Sequence, residues 1–149
     1  GAETGPATGH PPSPRCTTPA PSADRIAAMI NLDMVGRLRG DELAMSGTGT
    51  AENFSELVRP AIERSGLTVK ADPGGRGGEV ALGGADIGAT MAAGVPGVGL
   101  STVQDKYFWF HHTEADTVDK LDPVEVAQCA ALMAIVAYVV ADMPQRLPR

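Results

Sequence analysis

Hydrophobic residues along the chain fall into short uninterrupted runs and into helical stripes, which predicts strands alternating with helices. Residues 26–35 are nearly all apolar and end at Gly36, a pattern typical of a strand buried on both faces. Shorter strands are predicted over residues 42–46, 67–71 and 95–102. Strands that alternate with helices indicate an α/β fold.

The first predicted helix covers residues 51–65, with Thr50 as its N-cap and Gly66 at its end. Its apolar stripe recurs every three or four residues, at Phe54, Leu57, Val58, Ala61 and Ile62. Pro60 lies within the stripe and predicts a kinked or divided helix, because proline cannot donate the helical hydrogen bond.

Two further helices are predicted. One begins at Asp86 and runs to about residue 93. The other runs from Pro123, a proline at the first helical position, to Met143. The residues expected to be buried on this last helix are Val126, Ala130, Met133, Ala134, Ala137 and Tyr138.

Two segments fall outside this pattern. Residues 1–24 contain six of the twelve prolines, which predicts a disordered or non-native segment before one domain over residues 25–149. Residues 72–84 are rich in glycine, as in an active-site rim or a plain linker. The Gly-Lys-Ser/Thr of a phosphate-binding loop does not follow, so nucleotide binding is discounted.

Composition removes several classes of function. A net charge of −6 argues against a nucleic-acid partner, since phosphate binding needs a basic surface. No apolar run reaches the roughly 18 residues of a membrane span, so no membrane partner is expected. Cys16 and Cys129 are too few for a disulfide framework, and Cys129 is expected to be a small buried residue.

The strongest chemical signal is residues 106–117, which hold two of the three histidines and the only tryptophan. In extended backbone, His112, Glu114 and Asp116 would share one face. Imidazoles backed by carboxylates are typical of zinc sites. The alternative is a surface turn in which two histidines end an aromatic strand.

Two other acids are candidates. Asp33 lies at the carboxyl end of the first apolar run, where open α/β sheets collect ligands, and a buried carboxylate there needs a partner or a metal. The alternative for Asp33 is an acid that caps the loop after the strand. For Asp86 the alternative to a role at a site is a helix N-cap.

Three segments resemble the zinc-dependent exopeptidases with a co-catalytic metal pair, a family that includes bacterial aminopeptidases and the carboxypeptidase Q type. They are Asn-Leu-Asp-Met-Val-Gly-Arg at 31–37, the glycine-rich stretch 83–97, and the aromatic-histidine segment 107–123. The resemblance covers roughly residues 25–144. It implies a partial three-layer sandwich, with a mostly parallel or mixed sheet and flanking helices, incomplete at its N-terminal side.

The resemblance also implies roles for individual residues. His112 matches the terminal histidine metal ligand, and Asp33 a carboxylate ligand to the partner metal. His111 falls where relatives place a group that stabilises the oxyanion. Asp116 and Asp86 would lie behind the ligands and orient them.

In such enzymes two zinc ions, about 3.5–4 Å apart, activate a water that attacks a terminal bond of a peptide or dipeptide, with a glutamate as base. Here no His-x-Asp precedes Asp33, and Ala2-Glu3 is the only trace of the glutamate pair. Glu3 is therefore the candidate third ligand, and at most one zinc is expected.

These departures predict a metallo-exopeptidase fragment that is impaired on its own. The alternative is a truncated, non-catalytic remnant or an interaction domain. The chain shows no signal peptide, although relatives are commonly secreted or periplasmic, and an oligomer is left open.

Overall fold

Four strands form one mixed sheet in the computed structural model, which describes residues 21–37, 42–71, 86–102 and 112–148. They are β1 (Met29–Leu32), β2 (Glu42–Ser46), β3 (Thr68–Ala71) and β4 (Gly97–Thr102). The order across the sheet is β1-β4-β2-β3. Strand β4 pairs parallel with β1 and antiparallel with β2, and β2 pairs parallel with β3.

Among the described residues, three α-helices flank this sheet: α1 (Phe54–Ser65), α2 (Asp86–Ala92) and α3 (Pro123–Ala141). Two short 3-10 turns, Ala23–Arg25 and Val118–Lys120, precede β1 and α3. The side chain of Asp122 accepts hydrogen bonds from the N–H groups of Val124 and Glu125, at 2.7 and 3.4 Å. This cap fixes the start of α3 with Pro123 at its first position, as predicted.

Helices lie on both faces of the sheet. Successive residues of β4 point to opposite faces, and Val98 and Leu100 join the core that α1 and α3 complete. The other face of β4 carries Gly97 and Gly99. A Cβ placed on Gly97 would lie 3.1 Å from Cγ1 of Ile87 in α2. The predicted three-layer α/β class, with a mixed sheet, is therefore confirmed.

Thr50 does not cap α1, which corrects one expectation. The helix begins at Phe54 instead of residue 51, and Asn53 before it adopts a left-handed φ of 62°. The hydroxyl of Thr50 lies 2.7 Å from the carbonyl of Gly47 and accepts from the N–H of Gly97 at 2.9 Å. Thr50 therefore ties the loop after β2 to the start of β4.

Other element bounds also differ from expectation. Pro60 lies inside α1, which continues as one helix to Ser65, so of the two predicted alternatives the divided helix is wrong. Strand β1 covers only four of the ten residues of its apolar run and is half-buried, because it forms an edge of the described sheet. The predicted β2 is confirmed residue for residue, as is a left-handed Gly66 at the end of α1.

The buried face of α3 was predicted only in part. Met133 is buried as expected and Val126 and Ala137 are half-buried, but Ala130, Ala134 and Tyr138 are exposed, the last by 70%. The helix instead buries Cys129, Leu132, Met133 and Val136. Because α3 is apolar on nearly every side, the sequence contains no polar stripe to orient it.

By length and composition alone, α3 would be able to cross a membrane, and it is one such helix among the described residues. The sequence analysis, which considered only uninterrupted apolar runs, did not identify α3 as long enough to span a membrane, because Glu125 and Gln128 interrupt its apolar residues. Its four fully buried residues pack into the core against the sheet and α1, and its remaining residues are half-buried or exposed.

Leu32 and Leu100 provide a matched test of this core, since they are register partners in neighbouring strands. Leu100 is 1% exposed and Leu32 is 39% exposed. We expect Leu100→Ala to lower the free energy of unfolding by about 2–5 kcal/mol, because it leaves a cavity. Leu32→Ala should cost less than about 1 kcal/mol. Urea denaturation measures both, and equal losses would contradict this assignment of the core.

Candidate metal centre

The first candidate ligand, Asp33, directly follows β1 at the edge where β1 and β4 both end. Its N–H donates to the carbonyl of Leu100 at 3.0 Å, which extends the parallel pairing by one residue. Its side chain is exposed, so the expectation of a buried carboxylate is wrong. The next residue, Met34, has a φ of 57°, and its carbonyl accepts from the hydroxyl of Thr102 at 2.6 Å. Asp33 therefore lies at a bend that is fastened to the end of β4.

The second candidate ligand, His112, begins a tight turn. Its φ is 60° and its side chain is exposed. The N–H of Asp116 donates to the carbonyl of Thr113 at 3.0 Å, and the N–H of Ala115 to the hydroxyl of Thr113 at 3.3 Å. The extended backbone assumed for residues 112–116 is therefore wrong, because these bonds close a turn.

Left-handed backbone occurs at one candidate ligand, His112, and at the residue after the other, Met34. In the described ranges, the non-glycine residues with positive φ are Met34, Asn53 and His112. Such residues cost about 1–3 kcal/mol each and concentrate at functional sites. Two of the three coincide with a candidate ligand or its immediate neighbour. Strain at these two positions is the backbone observation that points to a site.

An ion pair joins the two ligand segments. The guanidinium of Arg37 donates to Oδ1 of Asp116, and the two residues are 79 apart in sequence. Arg37 lies four residues after Asp33, and Asp116 lies four residues after His112. The side chain of Arg37 is only 12% exposed and that of Asp116 is 33% exposed.

A backbone contact supports the same junction. The carbonyl of Gly36 accepts from the N–H of Asp122 at 2.9 Å, just before α3 begins. The segment after β1 is therefore fastened to β4 on one side and to residues 116–122 on the other. Sequence reasoning missed Arg37, since no local signal connects residues so far apart.

Lys120 organises the charges beside this turn. Its ammonium donates to the carbonyl of Ala115 and to the hydroxyl of Thr117, the latter at 2.6 Å. A hydrogen bond from Thr117 lowers the pKa of the exposed carboxyl of Asp119, and the charge of Lys120 adds to the effect. An acidic and a basic side chain are therefore adjacent at the end of the turn.

The donors in this region have the chemistry that zinc uses. Asp33 offers carboxylate oxygens and His112 imidazole nitrogens, and both side chains are open to solvent. Within the described ranges, no group of three or more His, Cys, Asp or Glu residues forms a ready metal site. The other candidates, Glu3 and His111, lie outside the described residues.

Asp86 is the first residue of α2, as the sequence predicts. The N–H of Val95 bonds to the carbonyl of Thr90 at 3.0 Å, so the chain reverses between α2 and β4. The helix packs against β4 through Ile87, the residue after Asp86.

Comparison with known proteins connects this arrangement to peptidases. The model of "Peptidase family M28" matches residues 13–137. Carboxypeptidase Q from Xenopus laevis is 53% identical over 66 residues, which are 44% of this chain and 14% of that protein. Carboxypeptidase Q from Homo sapiens is 48% identical over a stretch of the same length and coverage. The chain thus spans a small part of the length of these relatives.

A solved structure has the same fold. The aminopeptidase from Aneurinibacillus sp. strain AM-1 matches with a TM-score of 0.59 at 21% sequence identity. The match covers 85% of this chain and 30% of that one. At this identity the likeness concerns the fold alone.

Gly36 and Gly66 test how tightly the segment after Asp33 is packed. Both have positive φ, of 91° and 71°. A Cβ on Gly36 would lie 2.4 Å from Cγ2 of Val126, whereas a Cβ on Gly66 would meet nothing within 4 Å. Gly66→Ala should cost about 1–2 kcal/mol through backbone strain alone. Gly36→Ala should cost clearly more in thermal or urea unfolding, and an equal cost would contradict the packing.

Proposed function

The chain belongs to peptidase family M28, and we propose that it is a metal-binding part of a metallo-exopeptidase, which hydrolyses terminal peptide bonds. This membership, matched over residues 13–137, confirms the family resemblance noted in the sequence. The observation that carries the proposal is the Arg37–Asp116 ion pair, which connects the segment of Asp33 to that of His112. The ion pair thereby connects the segments of Asp33 and His112, which are remote in sequence and both have side chains that can bind a metal.

In this proposal Asp33 supplies a charged oxygen donor and His112 a neutral nitrogen donor to zinc. Exposure of both side chains leaves them accessible to an ion and to a substrate. Zinc bound there would polarise the scissile carbonyl and lower the pKa of a bound water. Glu3 as a further ligand and His111 as a donor to the oxyanion complete the proposed set.

Asp116 orients the site in this proposal through its ion pair with Arg37. Left-handed backbone at Met34, next to Asp33, and at His112 shows that the chain departs from regular strand geometry at both places. The proposed substrates are peptides or dipeptides with a free terminus. Because the sequence has no His-x-Asp before Asp33, we expect this chain to show little peptidase activity by itself.

Zinc titration of the purified chain by calorimetry tests the ligand assignment. We expect one site with a Kd near micromolar, corresponding to about −8 kcal/mol. Asp33→Ala and His112→Ala should each abolish binding, since each removes a donor. Glu63→Ala is the matched control, because Glu63 is an exposed acid on α1. Binding that is absent, or that survives both substitutions, would contradict the proposal.

A further inference from the structure

We propose that Arg37 is a positioning residue, which sets the place of His112 relative to Asp33 by holding Asp116. The inference rests on the proposed function, because it concerns the same metal site. It assigns a specific task to a residue that binds no metal itself. The argument follows the chain of contacts from Arg37 to His112.

The backbone that carries the Arg37 side chain is held in place by its neighbours. The preceding residue, Gly36, accepts a hydrogen bond from the N–H of Asp122, and its Cα lies against Val126 of α3. Two residues earlier, the carbonyl of Met34 is bonded to Thr102 at the end of β4. Arg37 therefore projects from a segment fastened to both the sheet and α3, which makes it a rigid anchor.

The side chain of Arg37 is also largely buried, with only 12% of it exposed. The ion pair with Asp116 therefore forms where water screens charge poorly. The described contact is a single hydrogen bond, which Nη2 of Arg37 donates to Oδ1 of Asp116. By contrast, the Lys70–Glu42 pair has side chains 60% and 36% exposed, and such surface pairs contribute little.

The other end of the ion pair leads directly to His112. The N–H of Asp116 bonds to the carbonyl of Thr113, the residue after His112. Only this short turn separates the held carboxylate from the imidazole. Because His112 has a left-handed φ of 60°, its conformation needs support from its surroundings. The Arg37–Asp116 contact supplies that support from the segment that carries Asp33.

The measurable consequence concerns metal affinity. Groups that orient a ligand typically change metal affinity 10–100-fold when they are removed. Arg37→Met keeps the length and apolar stem of the side chain but removes its charge and donors. Asp116→Asn changes the partner and keeps its shape. If both act through one contact, the double variant should lose no more affinity than the more damaging single variant.

Zinc affinity of these variants, measured by calorimetry, is the first readout. We expect Arg37→Met and Asp116→Asn each to weaken binding about tenfold or more. Lys70→Met is the matched control, because it breaks the other described ion pair, 2.7 Å long, far from both candidate ligands in sequence. Control affinity within twofold of the parent chain supports the proposal. Unchanged affinity in Arg37→Met or Asp116→Asn overturns it.

A second readout separates positioning from simple loss of stability. The visible absorption spectrum of bound Co²⁺ reports the geometry of its ligands. We expect Asp116→Asn, which keeps the shape of the side chain, to alter that spectrum in a chain that still unfolds cooperatively on heating. A parent-like spectrum in this variant overturns the proposal, even where Arg37→Met fails to fold.

Hydrogen exchange in the metal-free chain keeps this inference separate from the proposed function. If the parent chain binds no zinc, the proposed ligand assignment fails. Hydrogen exchange of the amides in residues 113–117 then tests separately whether Arg37 holds this turn through Asp116. Faster exchange in Asp116→Asn, with parent-like rates in Lys70→Met, supports the positioning contact. Parent-like exchange in Asp116→Asn overturns it.

Discussion

The described fold and its candidate metal centre both depend on strand β4, which pairs with a neighbouring strand along each of its edges. It bonds to β1 on one side and to β2 on the other, and its residues are buried along nearly its whole length. Its two faces serve different layers, because Val98 and Leu100 enter the main core while Gly97 and Gly99 leave room for Ile87 of α2. Since Leu100 and Thr102 also bond to residues 33 and 34, β4 fixes where the chain leaves the sheet at Asp33.

From this edge, the candidate site is assembled by loops. The bend after Asp33 is fastened to the start of α3 through Gly36 and Asp122, and the Arg37–Asp116 ion pair adds a second link. The turn that begins at His112 is closed by its own hydrogen bonds. A strand end and a turn almost eighty residues later thus meet without a shared regular element, which is how α/β folds commonly build sites.

Sequence reasoning succeeded where a local signal was strong. The bounds of β2, the first helical turn of α3 and the left-handed Gly66 all follow from short-range chemistry. It failed where tertiary contacts decide. Thr50 bonds to β4 instead of capping α1, and the nearly uniform apolar surface of α3 gives no information about its buried side. Asp33 and His112 could be proposed as candidate ligands from the sequence, but Arg37 could not be connected with them, because its partner Asp116 is brought to it only by the fold.

The most direct test of the account is whether one metal ion contacts both segments at once. Titration of the isotope-labelled chain with Co²⁺, followed by amide spectra, locates the paramagnetic centre. The account predicts that amides near Asp33 and amides near His112 shift or broaden together at the first equivalent. Effects confined to one of these segments, or spread evenly over the chain, would contradict a shared metal centre.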